Sequence, residues 1–112
     1  MEPRLKTRIR VQAVIRLAEQ RGGQAMVLHG GDDNAGDLML VMIEGTGNAR
    51  LFRRTPGTDF NHIWSEVPAP EGIASDAPEQ LVRLTTRDPD LWIIEVSVPD
   101  MNQFIADVTF AA

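Results

Sequence analysis

Residues 37–44 read DLMLVMIE, and their reading decides the fold. In an extended chain successive side chains point to opposite faces. Leu38, Leu40 and Met42 therefore share one face, while Met39, Val41 and Ile43 share the other. Both sets are apolar, so this strand must be covered on both sides rather than present one wet face. Residues 91–98, LWIIEVSV, behave similarly. Two helices can cover one side of a four- or five-stranded sheet. The second side calls for something more, either the apolar tail of the chain or a second copy of it.

Working outward, the strand at 37–44 is preceded by HGGDDNAGD (29–37) and, before that, by the short apolar run QAMVLH (24–29). GTGN follows it and leads into ARLFRRT. Glycine and asparagine at both connections suit tight turns, so the spacing predicts two hairpins in series, with Gly36 in a left-handed conformation. A further turn, TPGTD, leads to FNHIWSEV, which places Phe60, His62, Trp64 and Glu66 on one face of a fourth strand.

Upstream, TRIRVQAVIRLAEQR (7–21) puts Val11, Val14, Ile15 and Ala18 at helical spacing. Thr7 is placed to cap this helix and Gly22-Gly23 to stop it. Downstream, VPAPEGIASDAPE reads as a surface loop. Ser75 or Asp76 can cap a short second helix carrying Leu81, Val82 and Leu84 through about Arg87, ended by Pro89. The expected fold is α+β: a single two-layer domain over residues 1–112 in the order α-β-β-β-β-α-β. It has a largely antiparallel sheet of four to five strands with two helices packed on one face. The core spans 4–98, and 99–112 is a packed or partly mobile C-terminal tail.

Composition narrows the function. With 43% apolar and 24% charged residues the chain is ordinary for a soluble globular protein. It has no cysteine, which excludes disulfides, thiolate zinc sites and cysteine nucleophiles. The N-terminal MEPRLKTRIR has no apolar core of a secretory signal, and no run suggests a membrane span, so a cytoplasmic location is expected. Net charge is −5 but unevenly spread: residues 1–21 carry six bases and two acids, net +4, and the other 91 carry five bases and 14 acids, net −9. A basic end on an acidic body permits nucleic-acid or anion contact through the first helix. More often it marks a solvated helix face or a segment docked on an acidic partner, and the acidic body, which repels phosphates, makes nucleic acid the less expected partner.

HGGDDNAGD is the stretch that most resembles chemistry. Counted as a calcium loop from Asp33, it has Asp37 at position 5 and Glu44 at position 12, but Ala35 at position 3 and Leu38 where glycine is needed. As a phosphate loop it lacks GK[ST]. A solvated turn rich in Asp32, Asp33 and Asp37 satisfies it better. His29 and His62 are the available general bases or imidazole ligands. Neither has an HxH or HExxH partner, so a small metal-dependent hydrolase built from them and the loop aspartates is the alternative reading. No serine stands in a nucleophile context, no catalytic constellation is legible, and no cofactor is implied. Arg4, Arg8, Arg10, Arg53, Arg54 and Trp64 are the interaction candidates, Trp64 as an aromatic anchor. Trp92, inside an apolar run, is expected in the core.

RLKT (Arg4 to Thr7), GDDNAG (Gly31 to Gly36), GTGNARLF (Gly45 to Phe52) and DPDLWIIEV (Asp88 to Val96) occur in an order that resembles the bacterial domain-of-unknown-function family 1491. The resemblance covers most of the chain to about Val96, with the tail extending beyond it, and implies a small cytoplasmic protein without an assigned activity. The functional expectation is a non-enzymatic binding module with a protein partner or a second copy of itself as a homodimer. It would use the basic first helix or the second sheet face.

Overall fold

Helix α1 (Thr7–Gln20) forms around one apolar stripe, with Thr7, Val11, Val14 and Ala18 buried at helical spacing. The computed structural model describes residues 6–34, 36–43, 49–56, 62–67 and 78–111. Gly22 ends α1 as expected, in the left-handed region at φ 80° where glycine carries no Cβ penalty. The expectation that Thr7 caps the helix is corrected. Lys6 holds the cap position without a side-chain hydrogen bond, and Thr7 is the first helical residue, 4% exposed.

The strands are β1 (Gln24–His29), β2 (Leu38–Ile43), β3 (Ala49–Pro56), β4 (His62–Val67) and β5 (Trp92–Ser97). They form one five-stranded sheet in the order β1-β5-β2-β3-β4. β2, β3 and β4 make the expected antiparallel meander. The first of the two expected hairpins is absent. β5 inserts between β1 and β2, antiparallel to the former and parallel to the latter. HGGDDNAGD is therefore a bridge over the start of β5 rather than a tight hairpin turn. Gly23, just before β1, lies so close to β5 that an added Cβ would overlap the Ser97 carbonyl oxygen.

Both faces of the central strands are covered, as their composition requires. On the first face Leu38, Leu40, Met42, Phe52, Trp64, Ile94 and Val96 pack under α1 and a third helix, α3 (Met101–Ala111), through Phe104 and Val108. On the second face Met39, Val41, Leu51, Leu91 and Ile93 form their own cluster, against which Leu84 of α2 (Pro78–Arg87) packs. Each such side chain taken fully out of water contributes about 1.5–3 kcal/mol. The helices on one face are thus α1 and α3, and the tail joins the first face rather than the second.

The tail is helical for a local reason. Asp100 Oδ1 accepts a 3.0 Å bond from the Gln103 backbone N–H, capping α3 directly after Pro99. α2 begins on Pro78, a residue suited to the first turn of a helix. Ser75, Asp76 and Phe60 lie outside the described residues.

Candidate functional site

The loop between β1 and β2 is built by contacts to two distant segments. The Asp32 N–H donates to the Asp90 carbonyl at 3.0 Å, and the Trp92 N–H donates to the Asp37 carbonyl at 2.8 Å. Trp92 Nε1–H donates to the Asp32 carbonyl at 2.8 Å. From the other side, Thr7 Oγ1 donates to the Gly36 carbonyl at 2.9 Å, and the Arg8 N–H donates to the Asp33 carbonyl at 3.0 Å. Asp32 Oδ2 accepts from the Asn34 N–H at 3.1 Å, the local aspartate turn that the composition suggests.

Gly31 and Gly36 serve this junction by their size. A Cβ on either would overlap the Asp90 carbonyl oxygen. Gly36 does not take the expected left-handed conformation; among the described glycines only Gly22 does. Trp92, expected in the core, is half-buried, with its ring over Gly30 and its indole nitrogen engaged by the loop.

The two histidines do not come together in this arrangement. His29 sits at the end of β1, where its Nδ1 lies 2.7 Å from the Leu91 carbonyl and donates to it. His62 lies on β4 at the opposite edge of the sheet, with its backbone paired to Pro56. Four strand spacings, about 19 Å, separate the two strands, so the histidines do not share a site. No group of three or more histidine, aspartate or glutamate side chains placed to hold a metal occurs among the described residues. Asp37 is bonded to Arg53 at 3.1 Å, an exposed ion pair of the kind that contributes little to stability.

The other interaction candidates scatter. Arg4 lies outside the described residues. Arg8 is exposed and Arg10 half-buried on α1, and Arg54 is half-buried on β3 opposite Trp64. Trp64 is 8% exposed and belongs to the first-face core, so it is a packing residue and not a surface anchor. Arg50, near Arg53 and Arg54 in the sequence, joins β3 to β4 and α3. It pairs with Glu66 at 2.8 Å, reaches Asn102 at 3.4 Å and lies over the Phe52 ring. Its guanidinium holds the Glu66 carboxyl below the usual carboxylate range, chiefly by hydrogen bonding.

The surface that sequence reasoning missed is the β1 edge. Met26, Val27 and Leu28 are 57%, 38% and 39% exposed, and Ile9 on α1 is 43% exposed. Among the described residues no strand pairs with the outer side of β1. QAMVLH contains no lysine, arginine, acid or proline to blunt the edge, and its register with β5 shifts between Val27 and His29. That absence was the available signal, but it becomes informative only once β1 is known to be an edge.

A family model described as protein of unknown function (DUF1491) matches residues 5–106. The match thus runs through most of α3, beyond the limit near Val96 read from the motifs. A crystal structure of a DUF1491 family protein from Caulobacter crescentus CB15 is similar at 32% identity and TM-score 0.76, covering 90% of this chain and 94% of that one. An NMR structure of a DUF1491 family protein from the same organism is similar at 31% identity and TM-score 0.72, with 93% and 94% covered. A solution structure of an A. tumefaciens protein shares the fold at 23% identity and TM-score 0.73, with 92% and 93% covered. No curated protein matches the chain. Among the described residues no helix is long and apolar enough to cross a membrane.

Proposed function

The chain belongs to the DUF1491 family of proteins of unknown function, and we propose that it is a non-enzymatic protein-interaction module that binds through the β1 edge and the adjoining surface of α1. The observation that carries this reading is the uncharged outer strand, on which Met26, Val27 and Leu28 are exposed, Val27 on the face that α1 covers and Met26 on the other. An open edge presents backbone donors and acceptors that an added strand can satisfy, and the exposed apolar side chains supply the burial that holds it there. The separation of His29 from His62 argues against the metal-dependent alternative, since two imidazoles at opposite edges cannot ligate one ion.

Affinity purification of the tagged chain from its native cells, compared with Met26→Lys, tests the reading. A binding protein, or the untagged chain itself, recovered in near-equal amount with the native sequence and lost with the variant is the expected result. Identical recovery from both, with the variant folded, would place the function elsewhere.

A further inference from the structure

We propose that the occupant of the β1 edge is a second copy of this chain, added antiparallel about a two-fold axis at the level of Val27 to give one continuous ten-stranded sheet. The proposal rests on the interaction-module reading and names the partner.

Three features of one edge carry it. The first is the strand. QAMVLH bears no charge and no proline, so two copies of it can lie side by side with no like charges opposed. The second is the position of α1, which packs on β1 and β5 at the β1 end of the sheet while α3 lies toward β4. An axis half a strand spacing beyond β1 sets the two α1 helices antiparallel on either side of it, on the same face of the sheet. The strand pairing and a helix pairing therefore close together.

The third feature is charge. On α1 the buried stripe is Thr7, Val11, Val14 and Ala18. Arg21, on one flank of that stripe, pairs with Asp107 of α3 at 2.7 Å. Arg8, Gln12, Ile15 and Glu19 form the other flank, which helical geometry directs away from α3 and past the β1 edge. Arg8, Gln12 and Glu19 are exposed and Ile15 is half-buried. The midpoint of Arg8 and Glu19 lies about 13 Å along α1 from Gly22, and Met26 to Val27 lie about 10–13 Å along β1 from Gly23. The two run antiparallel from that glycine pair, so the Arg8–Glu19 midpoint and Val27 stand at one level. A two-fold axis there brings Arg8 of one copy over Glu19 of the other, twice, with Gln12 and Ile15 meeting between them.

This flank is net neutral, so it does not select an acidic or a basic peptide. A second copy in this orientation satisfies both of its charges. The −5 on each chain opposes association, but that long-range repulsion is screened beyond about 8 Å in physiological salt, leaving the local match to decide.

Sedimentation equilibrium of the full chain from about 1 μM to about 0.5 mM tests the proposal. The expected result is a reversible dimer of twice the 12.4 kDa chain mass. Met26→Lys abolishes it with far-UV circular dichroism unchanged. Arg8→Glu and Glu19→Arg each weaken association about tenfold, and the R8E/E19R double variant restores it, because the symmetric pairs re-form with reversed sign. A chain that is monomeric throughout, a folded Met26→Lys that still dimerises, or charge reversals without effect would each overturn the self-pairing. A monomer that nonetheless captures another protein, lost with Met26→Lys, overturns self-pairing and leaves the interaction reading standing. A monomer that captures nothing overturns both.

Discussion

Thr7 Oγ1 donates a 2.9 Å hydrogen bond to the carbonyl of Gly36, joining the first turn of α1 to the end of the β1–β2 connection across 29 residues. Thr7 is the buried polar residue of the described core, so this bond holds the loop against the helix where water does not compete.

Thr7→Val keeps the shape and removes the bond. We expect a loss of about 1–2 kcal/mol, lowering Tm by roughly 4–8 °C, with Thr7→Ser close to the native value. Thermal unfolding monitored by circular dichroism measures it. Equal stability of the valine variant would mean that Gly36 is satisfied by water instead.

Among the described glycines two situations contrast. Gly31 and Gly36 leave no room for a Cβ beside the Asp90 carbonyl, whereas Gly22 has open space around it and a φ of 80°. Gly31→Ala and Gly36→Ala should each cost about 2–4 kcal/mol, because backbone must move. Gly22→Ala should cost only about 1 kcal/mol, the left-handed penalty alone. Urea denaturation of the three variants gives the ranking.

Trp92→Phe retains a large ring over Gly30 while removing the Nε1 donor to Asp32. A loss of about 1 kcal/mol is expected, together with faster amide exchange at Asp32 and Asn34 than in the rest of the sheet. Exchange unchanged in the loop would show that the indole bond does not hold it.

Acid should weaken the link between β3 and β4. The Arg50 hydrogen bond depresses the folded pKa of Glu66 below the usual 4.5. The stability from that pair is therefore full above the unfolded value and is lost as pH falls through the folded one. Glu66→Gln should flatten stability against pH below about 4.5 and leave its slope at neutral pH unchanged. Chemical denaturation at a series of pH values measures both regions.

Where the elements lie was largely legible, because burial leaves a local periodic record. The stripe of α1, its stop at Gly22 and the five strands all follow from spacing and turn residues. The third helix was not expected: the tail reads only as packed or partly mobile, although Asp100 three residues before Gln103 and Phe104 four before Val108 carry a cap signal and an apolar pair. Trp64 illustrates the limit. A tryptophan on a strand is apolar whether it meets the core or a partner, and only the positions of α1 and α3 decide which.

By itself the sequence determined that Leu38 through Ile43 and Trp92 through Val96 would be covered on two faces, and that the chain would be an α+β domain of this family. Only the tertiary structure decided that β5 enters between β1 and β2. Strand order depends on backbone hydrogen bonds that every sequence offers alike, and on docking between segments as far apart as Asp32 and Asp90. That insertion turns HGGDDNAGD from a hairpin into a bridge, gives Gly31 and Gly36 their steric role and leaves QAMVLH at the edge. The exposure of Met26, Val27 and Leu28 therefore became visible only through the strand that displaced the expected partner of β1.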